Sequence, residues 1–159
     1  MHRDSAHLRL REARGALGLT AAEFARKIGY PNGISAYLDL EAHPGDLFMT
    51  VSLAALSALG SELRIDPLGL LCDDAEAIRE PGALAFEQVA EALASFRVAE
   101  GLSVEALSDH LGWDVAGVLV DSKALWEFNV DGLRDICSPA GLDWRRAVPN
   151  VPRPALRAT

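Results

Sequence analysis

The chain has 159 residues, half of them hydrophobic and 24% charged, with a formal net charge of −8. That is enough for one ordinary domain or two small ones with a real core, and the composition excludes a disordered chain. Residues 1–27 carry six basic and three acidic residues, residues 28–143 carry five basic and 20 acidic, and residues 144–159 carry four arginines and no acid. A uniformly basic nucleic-acid binder is excluded; basic ends around an acidic body are not. No apolar run approaches the ~18 residues of a membrane span, so no membrane partner is expected. The start, Met1 to His7, lacks the apolar core of a signal peptide, which makes the cytoplasm the expected location.

In chain order the pattern predicts short helices and little strand. Leu8 to Leu17 places Leu8, Leu10, Ala13 and Leu17 on one stripe and Arg9, Arg11, Glu12 and Arg14 mainly on the other face. Thr20 and Glu23 form a capping box that opens a second helix, with Phe24, Ala25 and Ile28 inward and Gly29 as its stop. Pro31-Asn32-Gly33 reads as a turn, Ile34 to Glu41 as a third helix, and Leu47 to Leu59, stopped by Gly60, as a fourth. A short segment, Leu68 to Cys72, follows Asp66-Pro67, and an acidic stretch runs from Asp73 to Glu80. Pro81-Gly82 is the best domain boundary. Beyond it helices are expected over Leu84 to Ala99, Ser103 to Leu111, Asp114 to Asp121, Val130 to Ser138 and Leu142 to Val148. The proline-rich end from Pro149, with Arg153 and Arg157, reads as an extended tail. The domains expected are therefore 1–80, 81–148 and a tail over 149–159.

Two segments match at a constant offset of 83: Leu19-Thr20 through Ile28-Gly29-Tyr30, and Leu102-Ser103 through Leu111-Gly112-Trp113. Each has a leucine, a hydroxyl cap, apolar residues at Phe24/Leu107 and Ile28/Leu111, then glycine and an aromatic. Leu53, Leu56 and Leu59-Gly60 pair in the same way with Leu133, Ile136 and Ala140-Gly141, at an offset of 80 to 81. The register of cap, glycine and aromatic argues for an internal duplication.

The first copy resembles the lambda-repressor-like (Cro/CI, or XRE) helix-turn-helix family. The resemblance rests on Leu19-Thr20, Glu23-Phe24-Ala25, Ile28-Gly29 and the run Leu53 to Gly60. It covers about residues 8–70, and residues 93–146 more weakly. It implies an all-α protein of two small helical bundles, the second a degenerate copy. It also implies that the third helix enters the major groove with its N-terminal residues on the bases. The DNA-contacting candidates are then Asn32, Ser35, Ala36 and Tyr37 on that helix, Arg9, Arg11, Arg14, Arg26 and Lys27 on the flanking helices, and Arg145 and Arg146 near the C-terminus. The same residues have plain structural readings as a helix cap, a core-edge ring and solvated helix faces.

The run from Ile28 to Leu63 contains no lysine or arginine, so phosphate neutralisation falls to the flanking helices and the tail. The third helix of the second copy, Asp114 to Asp121, is acidic at both ends and apolar between, and is expected to be buried or to bind protein. Two functions follow. In one, the chain is a transcriptional regulator of bacterial or phage type that binds double-stranded DNA as a homodimer, with its second unit serving dimerisation or contact with another protein such as the transcription machinery. In the other, both copies have left DNA, and the acidic body antagonises or bridges another regulator. Cys72 and Cys137 read as buried thiols. No metal set, cofactor motif or catalytic constellation is evident, so no enzyme activity is expected. Asp73-Asp74-x-Glu76 reads as a solvated acidic helix start.

Overall fold

The computed structural model describes residues 5–73 and 83–150. The boundary expected at Pro81-Gly82, most of the acidic stretch and the arginines of the tail lie outside the described residues. The fold is all-α, and no strand occurs among the described residues. No helix of the described residues is long and apolar enough to cross a membrane.

The first half contains α1 (Ala6–Gly15), α2 (Ala21–Ile28), α3 (Ile34–Ala42), α4 (Asp46–Met49), α5 (Leu53–Leu63) and α6 (Pro67–Leu71). The inward face of α1 is Ala6 and Leu10, with Ala13 packed against the core. The stripe is thus rotated from the expected one: Leu8 and Leu17 are 49% and 36% exposed. The capping box of α2 forms as expected, with Glu23 N–H donating to Thr20 Oγ1 at 3.2 Å and Thr20 N–H to Glu23 Oε2 at 3.4 Å. Gly29 ends α2 in the left-handed region, with φ 62°.

The expected helix Leu47 to Leu59 is two helices. Thr50 and Val51 interrupt it, and Ser52 caps α5 by accepting from Ala55 N–H at 3.1 Å. Gly60 does not stop α5, which runs on to Leu63 and closes at Arg64 with φ 58°. Gly60 serves packing instead: a Cβ there would meet Ile65 O and Pro67 Cγ, both at 2.8 Å. Asp66 then caps α6 through Leu68 N–H at 2.9 Å.

The second half contains α7 (Phe86–Ala99), α8 (Val104–Leu111), α9 (Ala116–Val120), a 3-10 segment (Ser122–Glu127), α10 (Val130–Cys137) and a second 3-10 turn (Trp144–Ala147). It repeats the local devices of the first half. Ser103 caps α8 where Thr20 caps α2, and Gly112 ends α8 with φ 75° where Gly29 ends α2. Arg14 donates to the Leu19 carbonyl at 3.0 Å, and Arg97 donates to the Leu102 carbonyl at 3.0 Å. Each strut joins the end of one helix to the residue before the next cap, and both ends keep the offset of 83. Past the shorter α9 the register changes. Ser52 caps α5 and Asn129 caps α10, and the helix starts Leu53 and Val130 lie 77 residues apart.

The halves meet at these two caps. Ser52 and Asn129 form an antiparallel bridge. Leu53 N–H donates to the Phe128 carbonyl at 2.8 Å, and Asn129 Nδ2 donates to the Met49 carbonyl at 2.6 Å. Phe48 and Trp144 add an edge-to-face ring contact at 6.2 Å. The buried side chains of both halves form one hydrophobic cluster. Trp113, Trp126 and Trp144 pack against it. Cys72 and Cys137 are buried thiols, not joined in a disulfide.

Candidate functional site

The basic residues of α1 are tied into the fold. Arg9 lies over the C-terminal end of α6, where carbonyls lack helical partners. Its Nε donates to Leu70 O at 3.0 Å and its terminal nitrogens to Leu71 O, Ser5 Oγ and Asp73 Oδ1, each at 2.7 Å. Arg11 donates to the Glu41 carbonyl at 2.9 Å. Arg14 grips the Glu41 carboxylate with two hydrogen bonds, at 2.5 and 3.1 Å, and Glu41 is 5% exposed. Burial alone pushes the Glu41 carboxyl up, but hydrogen bonding and charge from Arg14 and its neighbours outweigh it and hold it below its ordinary value. On the face expected to be solvated or to bind phosphate, Arg9 and Arg14 are thus internal struts, while Arg11 stays exposed with its bond to the Glu41 carbonyl.

Tyr37 is fully buried. Its ring packs on Phe24 and Tyr30 at 5.4 and 5.6 Å, and burial raises its hydroxyl far above the ordinary value. It is therefore out of reach of a duplex. Arg145 forks onto Asp143 through two hydrogen bonds of 2.9 Å, and Arg146 is half-buried beside it. Arg26 and Lys27 are exposed at the end of α2. Asn32 is exposed in the left-handed region (φ 66°), Ser35 is exposed on the first turn of α3, and Ala36 is half-buried. The exposed side of α3 continues with Leu38, 42% exposed, and Asp39, which lies 3.6 Å from His43.

Two clefts adjoin this surface. One, of about 330 Å³, lies beside α3 and is lined by Tyr30, Asn32, Ala36, Asp39, Asp46, Thr50 and Ser52 among others. The other, of about 360 Å³, lies at the joint between the halves. Met49, Thr50 and Ser52 line it from one side and Trp113, Asp114, Glu127, Phe128 and Asn129 from the other. Among these residues only Asn32 and Ala36 are site candidates from the sequence. A signal was present: Tyr30 and Trp113 are the aromatics that follow the paired glycines.

Trp113 is held firmly. Its indole N–H donates to Asp135 at 3.0 Å, and its ring packs on Phe128 at 5.9 Å. Gly132 lets this aromatic wall lie close to α10, since a Cβ there would meet Phe128 at 3.0 Å and Trp113 at 3.3 Å. Beside the wall, α9 presents Val120, 88% exposed, between Asp114 and Asp121. Of the two expectations for this segment, burial holds only for its inner side, at Val115 and Val118.

Among the described residues no group of three or more His, Cys, Asp or Glu side chains is placed to hold a metal ion. Burial, with Asp143 nearby, pushes the Cys137 thiol up to about 12, which leaves it protonated and a poor nucleophile at neutral pH. No family model, no curated protein and no solved structure matches this chain.

Proposed function

We propose that the chain is a protein-interaction module built from two copies of a helix-turn-helix-like unit of the lambda-repressor type, and that it acts on another regulator by binding it. One observation carries this reading: the guanidinium groups of Arg9 and Arg14 are engaged inside the fold, and Arg11, though exposed, is tied to the Glu41 carbonyl. Among the described residues the basic side chains left exposed beside α3 are then chiefly Arg11, Arg26 and Lys27, against Asp39 on α3 itself. Neutralising three phosphates gives a salt slope of about −2.7, or only about a fortyfold loss of affinity between 50 and 200 mM salt. Duplex readers with 6–10 phosphate contacts lose about 10³–10⁵ over the same range.

The joint at Ser52 and Asn129 supports a second part of the reading. The two-fold pairing that a homodimer would supply is approximated within one chain, so we take the acting species to be the monomer. The DNA-reading alternative draws on one specific observation, the exposure of Asn32 and Ser35 at the start of α3 beside Arg26 and Lys27.

Two measurements decide. Titration of a labelled mixed-sequence duplex, followed by anisotropy at several salt concentrations, is expected to show weak binding with a shallow slope. A genome-wide occupancy map under native expression is expected to show no enriched sites. Enriched sites, or a slope steeper than about −5, would return the chain to the DNA readers.

A further inference from the structure

We infer that the two clefts form a single groove that binds a basic segment of a partner protein, an arginine- or lysine-bearing stretch laid across the joint. The inference rests on the protein-binding reading and names its surface and the partner's chemistry. The clefts share Thr50 and Ser52 as lining residues, so they adjoin at the bridge between the halves. They are also related by the internal repeat. Tyr30 walls one and Trp113 the other, each just after a left-handed glycine and each with its N–H on the carbonyl five residues back, at 3.1 and 3.2 Å.

The lining chemistry selects the occupant. Asp39 and Asp46 line the first cleft and Asp114 and Glu127 the second, and among the described residues no lysine, arginine or histidine lines either, although His43 lies 3.6 Å from Asp39. Carboxylates beside an aromatic face in a concave wall attract a guanidinium or ammonium group twice over, by charge and by the ring quadrupole. Phosphate is repelled by the same carboxylates, which disfavours a nucleic-acid backbone as occupant. A second copy of this chain would bring an acidic body of its own. The wall is also ready before binding: Trp113 is fixed by Asp135, and Asp114 by its hydrogen bond from Ala116 N–H at 3.1 Å. Little ordering remains to be done when a partner arrives.

The test uses the full chain and a fluorescein-labelled peptide of alternating Arg and Gly, with a Glu-Gly peptide of equal length as its counterpart. Anisotropy at low salt is expected to show binding of the arginine peptide only. Asp39→Asn with Asp114→Asn is expected to weaken it about tenfold, since Asn keeps the local hydrogen bonds and removes the charge. Each single substitution is also measured, so that a loss in one cleft is readable by itself. Glu87→Gln with Glu91→Gln removes as much charge from the exposed side of α7, outside both clefts, and is expected to change affinity less than about twofold.

Equal weakening by the two pairs would overturn the inference, because attraction would then belong to the whole acidic body. Absence of arginine-peptide binding would overturn it as well. Binding that appears only after residues 151–159 are deleted would make the chain's own tail the occupant and remove the partner. The duplex titration separates these failures from failure of the protein-binding reading: shallow duplex binding with no peptide binding sinks the groove alone.

Discussion

The Arg14–Glu41 pair offers the sharpest test of how this fold is held. Glu41→Gln keeps the shape and removes the charge, leaving a guanidinium that is 17% exposed without its counter-ion. Breaking a buried pair from one side costs about 3–5 kcal/mol. The isosteric change and the partial exposure of Arg14 put the expectation near the lower end, about 3 kcal/mol. For a chain of this size that lowers the Tm by about 6–12 °C. Replacing both partners, Arg14→Met with Glu41→Leu, removes the desolvated charges together and should cost far less. What remains is chiefly the lost bond to the Leu19 carbonyl, about 1 kcal/mol. The second half contains the control: Arg97 makes the same carbonyl bond, so Arg97→Met should also cost about 1 kcal/mol. The pH dependence has a definite sign. Glu41 is held below its unfolded value, so its stabilisation is complete above the ordinary carboxylate range and fades as pH falls through the lowered value. The gap between wild type and Glu41→Gln should therefore be full at neutral pH and shrink in acid. Urea unfolding across that range reads all four proteins. A double variant as unstable as Glu41→Gln, or a gap that widens in acid, would refute the reasoning.

Other expectations are simpler to state. Gly60→Ala forces a methyl onto Ile65 O and Pro67 and should destabilise by about 1–3 kcal/mol in urea melts. Asn129→Asp keeps the cap on Gly132 N–H but loses the donor to the Met49 carbonyl; a cost of about 1 kcal/mol is expected, and Asn129→Ala, which also loses the cap, should cost about twice that. Cys72 and Cys137 should resist a thiol-labelling reagent in the native state and react in urea, as followed by mass spectrometry. Sedimentation should give a single species near the chain mass of 17.0 kDa at micromolar concentration.

Local rules carried the sequence reading where the controlling partner lies within a few residues. The Thr20–Glu23 box, the Ser103 cap and the stops at Gly29 and Gly112 are all of this kind. The reading was less complete where the partner is remote. The Leu47 to Leu59 run looks like one helix because its apolar pattern is continuous; the break at Thr50 and Val51 exists where Leu53 N–H reaches the Phe128 carbonyl on the other half. Arg9 sits on what periodicity calls the solvent face, yet its long side chain folds over carbonyls 61 and 62 residues away. The candidate site shares this limit. Asn32 and Ser35 were identifiable from the turn and the helix start, whereas the cleft at the joint needs both halves in place before Trp113 and Asp114 face Met49.

The joint also bears on how the chain assembles while folding. It pairs the starts of α5 and α10 in antiparallel fashion, so the surfaces that meet in one molecule are the ones that two half-folded molecules present to each other. Refolding at high concentration therefore favours exchange of halves between chains, and dilution favours closure within one. The exchanged dimer would keep every strut, cap and cleft described above and differ only in which chain supplies each side.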